Sequence, residues 1–302
     1  MKVKQKLALR YMRARLNILA LVSPRKAAVK AFRIFGTPQQ RVPQKGRAGQ
    51  RASAGQKGSA LKKGSADFDQ GEPLSFRLEG HTVRGHRWLP HPTEPPLKKV
   101  LIAHGFESAA RNFEGYIGVL LKKGYEVLAF DAPAHGASGG KRISLPVYVD
   151  ILKTIEQNYG PIHSFMGHSL GGLALALYLE KTPHDASDRL VLIAPAVEMT
   201  KAVETFAHLM RLPVEVRTEL DEYIQEFSGH PFSWFSLRRA LNGVQAGVLY
   251  LQDEGDRITP LEDALAVKKD DHPNIRFVFT LGLGHRKIYR DPEIMQQIVA
   301  FL

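Results

Sequence analysis

The chain has 302 residues, 44% of them hydrophobic, which is enough to bury a substantial core around an interior site. It contains no cysteine, so a disulfide scaffold, a thiolate-bound metal or cluster and a thiol nucleophile are excluded. The net charge of +12 is concentrated at one end: residues 1–66 carry 17 Lys and Arg and no Asp or Glu, leaving 25 basic against 30 acidic residues in the rest. The basic pI is therefore no nucleic-acid footprint, and no nucleic-acid partner is expected for the folded domain.

In chain order, residues 1–35 form a basic amphipathic helical segment. Leu7, Tyr11, Ala14, Ile18 and Leu21 or Val22 recur every three to four residues among Arg10, Arg13 and Arg15, and Ser23-Pro24 breaks the run into two helices. An acid-free segment of this kind can lie on an anionic membrane surface, act as an organellar transit peptide, or dock on its own domain. No apolar run reaches the ~18–20 residues of a membrane span. The expected location is cytoplasmic, with peripheral membrane contact through residues 1–35.

Residues 36–71 are rich in Gly, Ala, Ser, Gln and Lys, with near-repeats at Lys57-Gly-Ser-Ala60 and Lys63-Gly-Ser-Ala66, and read as a flexible linker. From residue 72 the pattern becomes regular. A hairpin is expected over Leu74–Glu79 and Thr82–Trp88, then strands Lys99–Ala103, Glu126–Phe130, Ile162–Met166 and Leu190–Ile193 alternate with helices Asn112–Lys123, 144–158 and Leu170–Lys181. A mostly helical insert follows at 197–242. Strand Gly247–Leu251, helix Leu261–Lys268, strand Arg276–Thr280 and helix Pro292–Leu302 complete the 72–302 domain. Such alternation predicts an α/β protein with a largely parallel sheet, whose ligands sit at the carboxyl ends of its strands.

Gly167-His-Ser-Leu-Gly171 places Ser169 between a strand and a helix, and the flanking glycines relieve crowding around a serine on a sharp turn. Helix N-terminal N–H groups then face developing negative charge. Two later strands end in loops carrying Asp253, Glu254 and Asp256, and then His285. In this order His285 is the base toward Ser169 and Asp256, just ahead of Arg-Ile-Thr-Pro260, the favoured orienting acid. Asp253, Glu254 and Glu198 remain alternatives. His104-Gly105-Phe106 ends the first central strand, so that the Phe106 and Leu170 N–H groups form an oxyanion hole. His168 and His135 are expected to shape loops rather than act as bases.

Taken together, His104-Gly105-Phe106, Asp131-Ala-Pro-Ala-His-Gly136, Gly167-His-Ser-Leu-Gly171, Asp256-Arg-Ile-Thr-Pro260 and Gly284-His285 resemble the alpha/beta-hydrolase superfamily over residues 74–302. The resemblance implies a mostly parallel eight-stranded sheet with helices on both faces and a small helical cap, here the 197–242 insert. It implies Ser169, Asp256 and His285 as triad, Phe106 and Leu170 as oxyanion donors, and neither cofactor nor metal. The sequence departs from the common pattern at Gln252-Asp253, where many members carry His-Gly.

A serine at the elbow excludes the aspartate-nucleophile chemistry of this fold. The expected activity is hydrolysis of carboxylic esters of small to medium acyl groups through an acyl-enzyme; thioester or amide cleavage on the same triad is the alternative, and a non-catalytic binding protein the remaining one. Of the cap's apolar residues, among them Phe206, Tyr223, Ile224, Phe232, Trp234 and Phe235, roughly two thirds are expected to fill the cap's own core.

Overall fold

The computed structural model describes residues 3–39, 68–91, 96 and 98–302. The eight strands are β1 (Glu72–Leu78), β2 (His81–Trp88), β3 (Lys98–Ala103), β4 (Tyr125–Asp131), β5 (Ser164–His168), β6 (Arg189–Ile193), β7 (Gly247–Asp253) and β8 (Ile275–Thr280). They form one sheet in the order β1-β2-β4-β3-β5-β6-β7-β8. The β1–β2 and β2–β4 pairs are antiparallel and every other pair is parallel. This is the alpha/beta-hydrolase fold.

The alternation along the central strands explains the layers. Leu101, Ala103, Leu128 and Phe130 pack on one face with α4 (Leu145–Tyr159) and α5 (Leu170–Leu179). Val100, Ile102, Val127 and Ala129 pack on the other with α3 (Glu114–Lys122) and α11 (Pro292–Phe301). Strands covered on both faces read as unbroken apolar runs, and β4 and β5 are buried along their whole length. The short helix α10 (Gly284–Lys287) follows β8, and α9 (Leu261–Lys269) joins β7 to β8. The chain leaves β3 for β4 on one side and returns to β5 on the other. That reversal opens the crevice at the strand ends where ligands bind in open α/β sheets.

The insert forms α6 (Met199–Met210), α7 (Val214–Ser228) and α8 (Leu237–Leu241). Arg239 clips it to α5: its guanidinium makes two bonds to Glu180, at 2.7 and 2.8 Å, and its Cζ lies 3.9 Å from the centre of the Trp234 ring.

The N-terminal segment forms α1 (Val3–Val22) and α2 (Pro24–Phe35), separated by Ser23, whose side chain caps α2 by accepting from the Lys26 N–H. Ala27, Ala28 and Ala31 are fully buried. These small side chains let α2 lie close against the cap, where Phe32 meets Tyr223 edge-on at 5.4 Å and Phe35 meets Phe206 at 5.2 Å between ring centroids. Arg25 ties the same helix to Glu219 and Glu226 of α7.

The linker expected at 36–71 lies outside the described residues over 40–67. The described residues on either side of 40–67 pack against the rest of the protein. The Gly36 carbonyl accepts from Ile143 at 2.9 Å, and Phe68 is buried beside Trp88 beneath the Arg111 guanidinium. Phe68, within the segment expected as linker, thus packs against the sheet domain.

Candidate active site

Ser169 stands between β5 and α5 with φ 53° and ψ −122°. A non-glycine residue in that region costs on the order of 1–3 kcal/mol and persists only where its surroundings over-determine it. Here the surroundings do so: the Ser169 N–H donates to Ile193, and its carbonyl accepts from Gly172 and Ala196. The glycines flanking the elbow answer to close approach. A Cβ on Gly171 would sit 2.4 Å from the carbonyl oxygen of Ala103, and one on Gly105 would sit 2.9 Å from the Ser169 Cβ. The β3 end and the elbow thus meet backbone to backbone.

Phe106 and Leu170 follow these two segments, and their backbone N–H groups are the sequence-predicted oxyanion donors. Neither donates to another protein group among the described residues. Both residues line the same cavity as Ser169. Two buried histidines hold this loop in place. His104 accepts from the Ala132 N–H at Nε2 (2.9 Å) and donates from Nδ1 to the Gly105 carbonyl (2.8 Å). His135 accepts from the Glu107 N–H at Nε2 (3.1 Å) and donates from Nδ1 to Pro133 (2.8 Å). Each needs the neutral tautomer to do this, and burial lowers the pKa of His104 accordingly. Asp131 accepts from the Ala110 and Ala137 N–H groups, at 2.9 Å each. The Asp131–Gly136 motif is a brace.

Across the crevice, His285 Nδ1 lies 2.7 Å from Asp256 Oδ2. Asp256 also accepts from the Ile258 N–H (2.7 Å), the Thr259 N–H (3.1 Å) and the Thr259 hydroxyl (2.8 Å). Burial works to raise its pKa, but the bonds from His285, Ile258 and Thr259 outweigh it and hold the carboxyl below its ordinary range. Because the carboxylate only accepts, the proton in this bond is donated from His285 Nδ1.

The structure separates the alternative acids. Asp253 accepts from the Thr280 hydroxyl and the Leu283 and Gly255 N–H groups, stapling the end of β7 to the loop that bears His285. Glu198 accepts from the Ser236 hydroxyl at 2.8 Å within the cap. Glu254 is exposed, with its N–H bonded to Thr280. None of the three bonds to the histidine. Ser169 and His285 are not hydrogen-bonded to one another among the described residues. The serine's neighbours bridge the interval: His168 Nε2 donates to the His285 carbonyl at 2.8 Å, and Thr259, a cavity wall, lies 3.2 Å from His285 Nδ1.

The cavity above Ser169 has a volume of about 240 Å³, and no lining side chain is charged. Of the apolar cap residues, Ile224, Phe232 and Phe235 face it, together with Met199. Part of the wall comes from outside the sheet domain: Phe32, Phe35 and Gly36, at the end of α2, close one side. This role escapes a local reading of the sequence. Its signal is the Ala27-Ala28-Ala31 face, which permits close helix packing, followed by an aromatic pair at the helix end.

Residues 94–240 match the family profile described as serine aminopeptidase, S33. Among curated proteins, the chain is 28% identical over 139 residues to an uncharacterized protein, YqkD, of Bacillus subtilis, covering 42% of this chain and 44% of that one. It is 26% identical over 188 residues to a putative non-heme haloperoxidase of Mycobacterium phage D29, covering 59% of each. The chain thus spans about half the length of these relatives. Among solved structures it resembles an esterase of Pyrococcus furiosus (21% identity, 81% of this chain and 95% of that one, TM-score 0.58). It also resembles Est1E of Butyrivibrio proteoclasticus, solved with ferulic acid (18% identity, 76% and 97%, TM-score 0.59).

Proposed function

We propose that this chain, which has the alpha/beta-hydrolase fold and whose residues 94–240 match the serine aminopeptidase, S33 profile, is a serine hydrolase cleaving carboxylic esters of small to medium apolar acyl groups through an acyl-enzyme. Ser169 is the nucleophile, His285 the general base and acid, and Asp256 the orienting acid. The observation that carries the reading is the strained backbone of Ser169 at the foot of an uncharged cavity.

In the first half-reaction Ser169 Oγ attacks the acyl carbonyl carbon and its proton passes to His285 Nε2. The carbonyl oxygen becomes an oxyanion held by the Phe106 and Leu170 N–H groups, a term worth about 10²–10³ in turnover per donor in related sites. As the intermediate collapses, the bond to the leaving oxygen breaks and His285 returns the proton to the departing alcohol. Water then attacks the acyl-enzyme by the same route, releasing acid and free serine. Asp256 holds the ring in the required tautomer and stabilises the imidazolium formed in both steps.

The cavity supports a neutral, apolar acyl group. A substrate with a free α-amino group needs a carboxylate to receive its ammonium, and the lining residues offer none. A fluorophosphonate should label the wild type covalently at Ser169 and leave Ser169→Ala unlabelled; a wild type that resists the reagent would refute the nucleophile assignment. Matched esters, thioesters and amides of one acyl group should rank the ester first in kcat/KM, and a thioester or amide preference would displace the ester reading.

A further inference from the structure

Helix α1 carries two apolar stripes on opposite sides. At about 100° per residue, Leu9, Met12, Leu16 and Leu19 fall on one side and Leu7, Tyr11, Ala14, Ile18 and Leu21 on the other. The first stripe packs on the protein, with Leu16 only 1% exposed, and Arg13 fastens the helix to the Leu209 carbonyl. The second faces solvent: Leu7 is 68% exposed, Tyr11 60%, Ile18 64% and Leu21 89%. A helix whose inner face is already satisfied has no folding reason to carry an outer apolar stripe.

Every charged residue of α1 is basic. Arg10 and Arg15 on α1 are exposed. Next to α1, Lys26, Lys30 and Arg33 of α2 face Lys141 and Arg142 across a groove of about 660 Å³ whose lining contains no acidic residue and reaches Leu19 of α1. No carboxylate forms an ion pair with any of these five among the described residues, whereas Arg25 is paired with Glu219 and Glu226. None of residues 1–66 is acidic.

We propose that this surface docks on an anionic lipid bilayer, with α1 lying in the plane of the interface. Leu7, Ile18 and Leu21 enter the boundary between headgroups and acyl chains, while the groove cations and Arg10 and Arg15 meet lipid phosphates. The attachment is peripheral, since no helix among the described residues is long and apolar enough to cross a membrane. Charge favours lipid over a second copy of the chain. Two α1 helices meeting through this stripe would bring their arginines together, with no acid in either arm to offset them.

The test is flotation of the full-length protein with vesicles of phosphatidylcholine alone or with about one-third phosphatidylglycerol. The wild type should bind the anionic vesicles at least ~tenfold more strongly, and less as salt is raised. Ile18→Asp with Leu21→Asp, and separately Lys26→Glu with Lys30→Glu, should each lower binding by ~tenfold or more. Circular dichroism melts should match the wild type, because these positions lie outside the core. Independently of those variants, Tyr11→Trp fluorescence should be quenched by brominated lipid in the anionic vesicles. Equal binding to both vesicle types, retention by the stripe variant, absence of quenching, or a stripe-dependent dimer in light scattering without vesicle binding would each overturn the proposal.

Discussion

His168 Nε2 donates to the main-chain carbonyl of His285 at 2.8 Å, with their rings 4.6 Å apart between centroids. The residue before the proposed nucleophile thereby anchors the residue proposed as its base. Burial, reinforced by the neighbouring His285, pushes the His168 pKa down to about 3. Since the unfolded chain takes up this proton near pH 6.5, it binds more protons than the folded protein between about pH 6.5 and 3. Stability contributed by the neutral ring is full above that window and is lost as pH falls through it, by up to about 1.4 kcal/mol per pH unit. Urea unfolding of the wild type across this range should show the slope. His168→Gln keeps a donor and removes the titration, so its slope should be smaller; parallel curves would contradict the assignment.

The two aspartates at the end of β7 should separate by phenotype. Asp256→Asn removes the charge that orients His285, and losing this group from a serine triad costs about 10⁴ in kcat. The substitution also weakens the bonds that the buried carboxylate accepts from Ile258 and Thr259, so stability should fall by about 1–3 kcal/mol as well, and turnover is what sets this variant apart. Asp253→Asn removes a carboxylate that accepts three bonds and braces the loop, at a cost of about 1–3 kcal/mol in stability. Chemical denaturation paired with ester turnover checks both, and a larger kcat loss in the Asp253 variant would reverse the roles.

Phe35 should set acyl chain length. Replacing it with Ala removes one wall of the cavity without touching Ser169, Asp256 or His285. Each methylene newly accommodated in an apolar pocket is worth about 1–3 kcal/mol, or about 10–200-fold in kcat/KM. The preference of Phe35→Ala on a series of straight-chain esters should therefore move to longer acyl groups, while the rate on the shortest ester stays within severalfold. An unchanged profile would place the acyl chain elsewhere.

The link from the cap to α5 should behave as a half-buried ion pair. In Arg239→Met the Glu180 carboxylate, 5% exposed, loses both bonds. The cost should be about 2–3 kcal/mol, below the ~3–5 kcal/mol of a fully buried pair because Arg239 is itself 32% exposed. Combining Arg239→Met with Glu180→Gln should recover part of the loss, as read from unfolding midpoints.

How much was legible in the sequence follows from the range of the interactions. The elbow could be read because its constraints are local: a strand, a glycine on either side of Ser169, then an apolar helix. Asp256 could be favoured over Asp253 by its position ahead of Arg257-Ile-Thr-Pro260, yet what separates them is the bond to His285, 29 residues away. The spacing of Leu7, Tyr11, Ile18 and Leu21 was plain and the helices formed, but amphipathicity in a sequence does not say which face points inward. The stripe that stood out is the exposed one, and the packed Leu9-Met12-Leu16-Leu19 stripe lay opposite it. Phe32 and Phe35 were unreadable as cavity walls because their partners, Tyr223 and Phe206, lie far along the chain.

The docking of α2 on α7 has a consequence for how the molecule opens. Arg25 reaches the Glu219 carbonyl across 194 residues of sequence, and all eight strands lie after residue 71. The helix pair can therefore lift away without breaking a single hydrogen bond of the sheet. Its opening free energy is that of its own interface, not of global unfolding, so amide exchange in α2 should be faster than in β5 under native conditions. Whatever fraction of time α2 spends detached is time in which the cavity lacks the wall formed by Phe32 and Phe35, so the protein's selectivity becomes a function of temperature and denaturant well before its sheet gives way.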